Sequence, residues 1–176
     1  MFNQKLQKPE ANAVNTADIV WACSALDAQT MDKLYKPKAP VAVVPNAINV
    51  DAYADARRQR AAVANASTPL LVYIGTYSYA PNEVAALRLI SEILPGLRQA
   101  GLDLKLTIVG RDPTPAMLQA AAQDAAVTVT GAVDSIMPYM AQNSIAVMPI
   151  TIGGGTRLKV LEAFAAQCPV ISTAKG

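Results

Sequence analysis

The chain contains no histidine, two cysteines, and only 5% aromatic and 16% charged residues. Each scarcity excludes something. Without histidine there is no His-based nucleophilic triad, no imidazole general base and no His-containing zinc site. Cys23 ends an apolar run and reads as a small buried residue, while Cys168 lies in a turn before Pro169. Neither spacing matches a metal site, and a disulfide is not expected in a reducing compartment. No apolar run approaches the length of a membrane span, and the polar start Asn3 to Glu10 does not resemble a signal peptide. A cytoplasmic location is the expectation. A formal charge of +2 is too slight to argue for a nucleic-acid partner, and the basic residues are scattered with no interleaved aromatics.

What the chain does contain is aliphatic: 52% of its 176 residues are hydrophobic. Such a composition suits an α/β protein with a Rossmann-like parallel sheet and helices on both faces. Short apolar runs alternate with helical patterns, the signature of βα units. The first 15 residues read as a flexible terminus. Strands are predicted at 18–23, 41–44, 70–74, 104–109, 127–130, 145–148 and 169–172. Ser24 caps a helix to about Tyr35, and Asn82 caps one running toward Pro95. Pro113 and Pro115 introduce a helix to about Gln123, a short helix follows from Asp134, and the last starts near Thr156. Residues 46–69 read as a linker plus a short helix, its cluster Arg57-Arg58-Gln59-Arg60 a solvated face.

The densest signal is Ile152-Gly-Gly-Gly-Thr-Arg-Leu-Lys-Val-Leu-Glu162. Gly153, Gly154 and Gly155 run into a helix whose first turn carries Arg157 and Lys159. A helix start favours anions and disfavours cations. Two cations there become favourable when an anion sits among them, and phosphate or diphosphate is the natural candidate. The same pattern also serves as ordinary turn chemistry with solvated cations. On a helical wheel Leu158, Val160, Leu161, Phe164 and Ala165 form one apolar arc, with Lys159 and Glu162 together off it. A carboxylate one turn beyond a phosphate is placed to accept hydrogen bonds from sugar hydroxyls. Gly75, Gly110, Gly131 and the triple glycine all follow strand carboxyl ends, the edge where open α/β sheets bind ligands. Their convergence suggests close backbone approach to a ligand, although Rossmann-like geometry alone also places glycines there.

Gly153 to Ala166 followed by Pro169-Val-Ile-Ser-Thr173 resembles the donor-binding segment of GT-B glycosyltransferases of family 4. Pro45-Asn-Ala-Ile-Asn49 resembles the element after that family's interdomain crossing. Leu71-Val-Tyr-Ile-Gly75 with Pro81-Asn82 resembles the first strand and helix cap of its donor domain. The resemblance spans residues 16 to 176 in the family's order. It implies a retaining, metal-independent transfer of sugar from a nucleotide-diphosphate sugar, which is a substrate, so no cofactor is expected. Gly75 would line the donor edge. Gly110 and Arg111 would lie beside the nucleoside, and the backbone from Gly131 to Val133 would contact the base. Glu162 would hold the ribose hydroxyls. Gly153, Gly154, Gly155 and Thr156 would offer amides to the diphosphate or sugar, with Arg157 and Lys159 neutralising phosphate charge. Arg111 equally reads as a surface arginine, and Tyr77 and Tyr79 either as stacking on a ligand or as exposed loop residues.

Two positions depart from the family's pattern. Its first motif glutamate is replaced by Gly154, and its helix-ending glycine by Gln167. Against the family's two-domain layout, residues 16–45 read as a remnant βα unit of the first domain. Residues 70–176 then read as the nucleotide-sugar-binding domain, cut short before its closing helices. The missing acceptor domain, or a partner chain, would complete the enzyme and would carry any peripheral contact with the inner membrane. The isolated chain is expected to be inactive. A non-catalytic nucleotide-sugar-binding subunit is the alternative reading, and another nucleotide-dependent α/β enzyme a third. Gly-Thr-Tyr-Ser-Tyr79 after the first donor-domain strand does not match a dinucleotide fingerprint.

Overall fold

The structure is a computed structural model, and it describes residues 4–63, 68–152 and 156–174. Two compact units partition the chain: Met1–Ala47 with Gly154–Thr156, and Ile48–Gly153 with Arg157–Gly176.

The first unit opens on a helix rather than the flexible terminus expected. Helix α1 spans Gln4–Thr16, strand β1 Val20–Ala22, helix α2 Ala25–Tyr35 and strand β2 Val41–Val43. What holds α1 is tertiary. Val14 packs with Val20 and Tyr35, the Asn15 amide donates to the Tyr35 carbonyl at 3.1 Å, and the Tyr35 hydroxyl donates to Glu10 at 2.6 Å. Ser24 caps α2 as its sequence implies, accepting from the Asp27 amide at 3.1 Å while its hydroxyl donates to the Asp27 carboxylate at 2.6 Å. Strands β1 and β2 pair in parallel, Val20 opposite Val41, with Val20 and Ala22 turned inward and Trp21 outward.

The second unit is built on a five-stranded parallel sheet of order β5-β4-β3-β6-β7. Its strands are β3 Leu70–Ile74, β4 Lys105–Val109, β5 Val127–Val129, β6 Ser144–Met148 and β7 Val170–Ser172. The period-2 pattern divides β3 between two cores. Leu71 and Tyr73 face one with Leu106, Ile108 and Val147. Val72 and Ile74 face the other with Val109, Ala146 and Met148. Both faces are covered, as parallel strands require.

Helices fill the crossovers. Helix α3 is Ala54–Val63, α6 Pro115–Ala122, α7 Met137–Ala141 and α8 Leu158–Ala165. The helix after β3 differs from its expected form. It starts at Ala80 and does not stop at Pro95: α4, Ala80–Arg88, passes through a π turn, Leu89–Ile93, into α5, Leu94–Gln99. A proline in an α-helix loses one N–H and clashes with the carbonyl four residues back. The wider π turn, in which the Leu94 amide bonds the Leu89 carbonyl, accommodates Pro95 without ending the helix. Asn82 does not supply the cap. Tyr79 stands at that position, and Asn82 instead accepts from the Tyr73 hydroxyl at 3.1 Å and donates to the Thr76 carbonyl at 2.9 Å.

Residues 48–63 hold the short helix expected there, but pack within the second unit instead of serving as a linker. A 3-10 turn, Val50–Tyr53, and α3 belong to the second unit, with Tyr53 and Ala56 buried in its core. The arginines of α3 are not a uniformly solvated face. Arg57 donates to the carbonyls of Val50 and Ala165 at 2.8 and 2.9 Å. Arg60 donates to the carbonyls of Gln142 and Ser144 at 2.7 and 2.8 Å. Only Arg58 keeps to the exposed side, paired with Asp55.

Candidate functional site

The carboxyl ends of β3, β4 and β5 form one rim, joined by backbone bonds past the strands. The Gly75 amide donates to the Val109 carbonyl at 3.0 Å, and the Gly110 amide to the Gly131 carbonyl at 3.2 Å. This crossing explains Gly110. Its φ is +139°, and a Cβ there would fall 1.8 Å from the Gly75 carbonyl oxygen. Gly131 needs glycine for another reason, a φ of +71° with open space around it. The close approach at Gly110 is therefore made by the neighbouring chain segment.

Above the rim, the loops after β3 and β4 are tied together. Arg111 is exposed and donates from Nε to the Thr76 hydroxyl at 3.3 Å, while its carbonyl accepts from the Tyr77 amide at 3.0 Å. Ser78 donates to the Asp112 carboxylate at 3.0 Å. Tyr77 is not an exposed loop residue. It is 1% exposed, and its hydroxyl donates to the carbonyls of Val109 at 3.0 Å and Tyr73 at 3.2 Å. Burial raises its pKa far above the phenol range, so it acts as a fixed donor beneath the rim. Tyr79 remains half exposed, and Val133 packs partly buried on the core.

Helix α8 carries the remaining candidates. Gly153, Gly154 and Gly155 lie outside the described residues, and Thr156 groups with the first unit. Arg157 is the N-cap of α8, its carbonyl accepting from the Val160 amide at 2.9 Å. Its guanidinium acts electrostatically on the buried Tyr73 phenol of β3. Lys159 Nζ and Glu162 Oε2 lie 2.8 Å apart, so the pair expected on one side of the helix is in ionic contact. The apolar arc is only partly inward: Ala163 and Ala165 are buried, whereas Leu158 and Phe164 are 43% and 61% exposed. Small residues let α8 lie close to the sheet, and the larger apolar groups at its flanks stay outside.

One neighbour of this helix has no signature in the glycine-loop motif. Tyr53, 7% exposed, sits beside Glu162. Burial, then the charge of Glu162 and a hydrogen bond to it, push the phenol pKa up to about 12. The one available hint is an aromatic residue four positions after Asn49 in an otherwise polar stretch. An apolar groove of about 160 Å³ opens at the same rim, lined by Pro81, Val84, Arg88, Pro149 and Ile152. A depression of about 470 Å³ at the opposite, amino edge is lined by Pro69, Asp103, Lys105 and Asn143 and includes none of the candidate residues.

Residues 68–176, more than half of the chain, match the family model for glycosyl transferases group 1. No curated protein matches the chain in sequence. Among solved structures, sucrose-phosphate synthase from Thermosynechococcus elongatus superposes with a TM-score of 0.70 and 22% identity, covering 99% of this chain and 45% of the synthase. HepE of Anabaena, in complex with UDP and glucose, gives 0.70 and 19% identity, covering 99% of this chain and 50% of that protein. An α,α-trehalose-phosphate synthase (UDP-forming) from Burkholderia vietnamiensis gives 0.69 and 13%, covering 94% and 48%. At these identities the likeness speaks to fold, and the chain spans about half the length of each neighbour. Its parallel sheet and helices are those of GT-B glycosyltransferases, and the chain belongs to the family of glycosyl transferases group 1.

Proposed function

We propose that this chain is the donor-binding half of a retaining, metal-independent family 4 glycosyltransferase, taking a sugar from a nucleotide-diphosphate sugar. The observation that carries the reading is the layout of α8. Arg157 stands at its N-cap, and the Lys159–Glu162 pair occupies the first turn and a half. Departure of a nucleoside diphosphate leaves negative charge that a fixed guanidinium and helix-start amides stabilise. Glu162, lying further along, accepts hydrogen bonds from the ribose hydroxyls. Gly75, Gly110, Arg111, Gly131 and Val133 form the nucleoside side of the site, and Gly153 to Thr156 supply amides toward the diphosphate or sugar. Lys159 contributes positive charge to the diphosphate from its place beside Glu162. Two of the structural neighbours carry UDP in their names, which makes UDP the first nucleotide to try.

The test is calorimetric titration of the full chain with UDP, GDP and ADP, repeated on Arg157→Ala and Glu162→Ala. One diphosphate is expected to bind with a Kd of roughly micromolar to millimolar. Binding is expected to be lost in both variants. A folded wild type that binds none of the three would sink the proposal. A second reading, a non-catalytic nucleotide-sugar-binding subunit completed by a partner domain, is favoured by Ile19 and Trp21, 67% and 66% exposed in the two-stranded first unit.

A further inference from the structure

Arg157, Lys159 and Glu162 of the proposed site all ride on α8, yet the packing of this helix holds it weakly along its own axis. The side chains it fully buries, Ala163 and Ala165, are small, while Leu158 and Phe164 stay exposed. Packed helices lock where larger side chains form ridges that enter a neighbour's grooves. A face of alanines lets the helix lie close to the sheet and offers little to stop it sliding.

What stops it is at its carboxyl end. The last four carbonyls of a helix have no donor within the helix. The turn after α8 meets three of them. The Ala166 amide bonds the Glu162 carbonyl at 3.0 Å, Gln167 that of Phe164 at 2.9 Å and Cys168 that of Ala163 at 2.8 Å. The fourth, Ala165, accepts from Arg57 Nη1 at 2.9 Å. The same nitrogen donates to the Val50 carbonyl at 2.8 Å. That carbonyl opens the 3-10 turn, which with β7 is the main neighbour of α8 among the described elements.

Arg57 works from a fixed base. Helix α3 buries Ala56, and the turn before it buries Tyr53, in the core shared with Ala163 and Ala165. One turn further on, Arg60 ties α3 to the Gln142 and Ser144 carbonyls at 2.7 and 2.8 Å, where β6 begins. The end of α8 is thus joined to the sheet through α3.

We propose that Arg57 is a positioning residue of the donor site. By holding the Ala165 carbonyl it sets where α8 lies along its axis, and with it the places of Arg157 and Glu162. The proposal rests on the reading of α8 as the donor helix. Two turns of helix are stiff, so a displacement at Ala165 is passed to Arg157, about 12 Å away at 1.5 Å per residue. A guanidinium at the carboxyl end also suits the helix dipole.

The full chain, Arg57→Ala, Arg57→Lys and Arg98→Ala are titrated with whichever of UDP, GDP and ADP binds the wild type, well below each thermal midpoint. Arg98→Ala removes the forked pair with Asp124 on another helix, and shows what lost stability alone does to binding. Arg57→Ala is expected to weaken the nucleotide about tenfold, the scale of one hydrogen bond from a charged group. Arg57→Lys, whose ammonium can meet two carbonyls from one nitrogen, is expected to recover most of that loss. Arg98→Ala is expected to lower the midpoint and leave affinity unchanged. Wild-type affinity in Arg57→Ala would overturn the proposal, as would equal weakening in Arg57→Ala and Arg98→Ala. Should Arg57→Ala fail to fold, Arg57→Gln, too short to span both carbonyls, takes its place under the same outcomes. A wild type that binds no nucleotide overturns the donor-site reading itself, a result distinct from the others.

Discussion

Gln167 has φ +58°, a left-handed conformation that glycine adopts at lower cost. The geometry around it explains why the conformation is imposed. The Gln167 amide bonds the Phe164 carbonyl at 2.9 Å and the Cys168 amide the Ala163 carbonyl at 2.8 Å, the paired bonds of a Schellman turn closing α8. Cys168 is then buried and the chain is aimed into β7. Gln167→Gly should raise the unfolding free energy by about 0.5–1 kcal/mol, relief of strain being partly offset by the greater freedom of glycine in the unfolded chain. Urea denaturation checks it, with a higher midpoint at unchanged slope. Lys36, φ 47°, also ends α2 in a left-handed conformation, with the single bond of its amide to the Asp32 carbonyl.

At the scale of elements, Arg57 and Arg60 of α3 close helix ends at a distance in sequence. The last carbonyls of a helix lack intrahelical donors and carry the negative end of its dipole. Arg57 reaches such a carbonyl on α8, and Arg60 meets the carbonyls where α7 gives way to β6. A second closure joins α5 to the turn before β5, through a forked Arg98–Asp124 pair at 2.6 and 2.8 Å. Arg98, followed by the Ala126 amide, holds the Asp124 carboxyl below the usual carboxylate range. A folded-state pKa below the unfolded one gives stability that is complete above the ordinary carboxylate range and lost as pH falls through the folded value. Urea midpoints measured from pH 6 to pH 3 should therefore decline, and Asp124→Asn should flatten part of that decline. A slope identical in the variant would remove Asp124 from the account.

Elements with a strong local signal were legible in advance. Ser24 before α2, Pro113 and Pro115 at the start of α6 and the apolar run of β3 each carry their own start signal or period. What escaped depends on partners distant in sequence. Helix α1 has few large apolar residues and a proline, and is held by Val14 and Asn15 against the first unit's own residues. Pro95 reads as a stop because a π turn leaves no mark in the sequence. Arginines 57 and 60 look solvated in a list of charges, since nothing local says that a carbonyl waits about a hundred positions away. At the site, the Lys159–Glu162 pairing follows from helical spacing, whereas Tyr77 and Tyr53 become meaningful only once the sheet is assembled.

For the whole molecule, family membership and length pull in different directions. The chain belongs to a family of transferases but spans about half of its structural neighbours. A glycosyl transfer needs an acceptor held against the donor, and the residues proposed here all serve the donor. Purified chain supplied with donor sugar and a general acceptor such as water or free glucose should therefore show little turnover. Multiple turnovers well above a Glu162→Ala control would defeat that expectation. The first unit, described by itself, has a sheet of two short strands. Two short parallel strands with one face open seldom stand alone, because parallel sheets are normally covered on both faces.

The backbone bonds along the rim bear on which hydrogens trade with solvent. The amides of Gly75 and Gly110 sit just past their strands, where loop amides ordinarily exchange fast, yet each donates to a carbonyl of the neighbouring segment. Their exchange is tied to opening of the sheet edge rather than to loop motion. They are equally withheld from any anion that arrives, since a donor already engaged cannot serve a phosphate without breaking the rim.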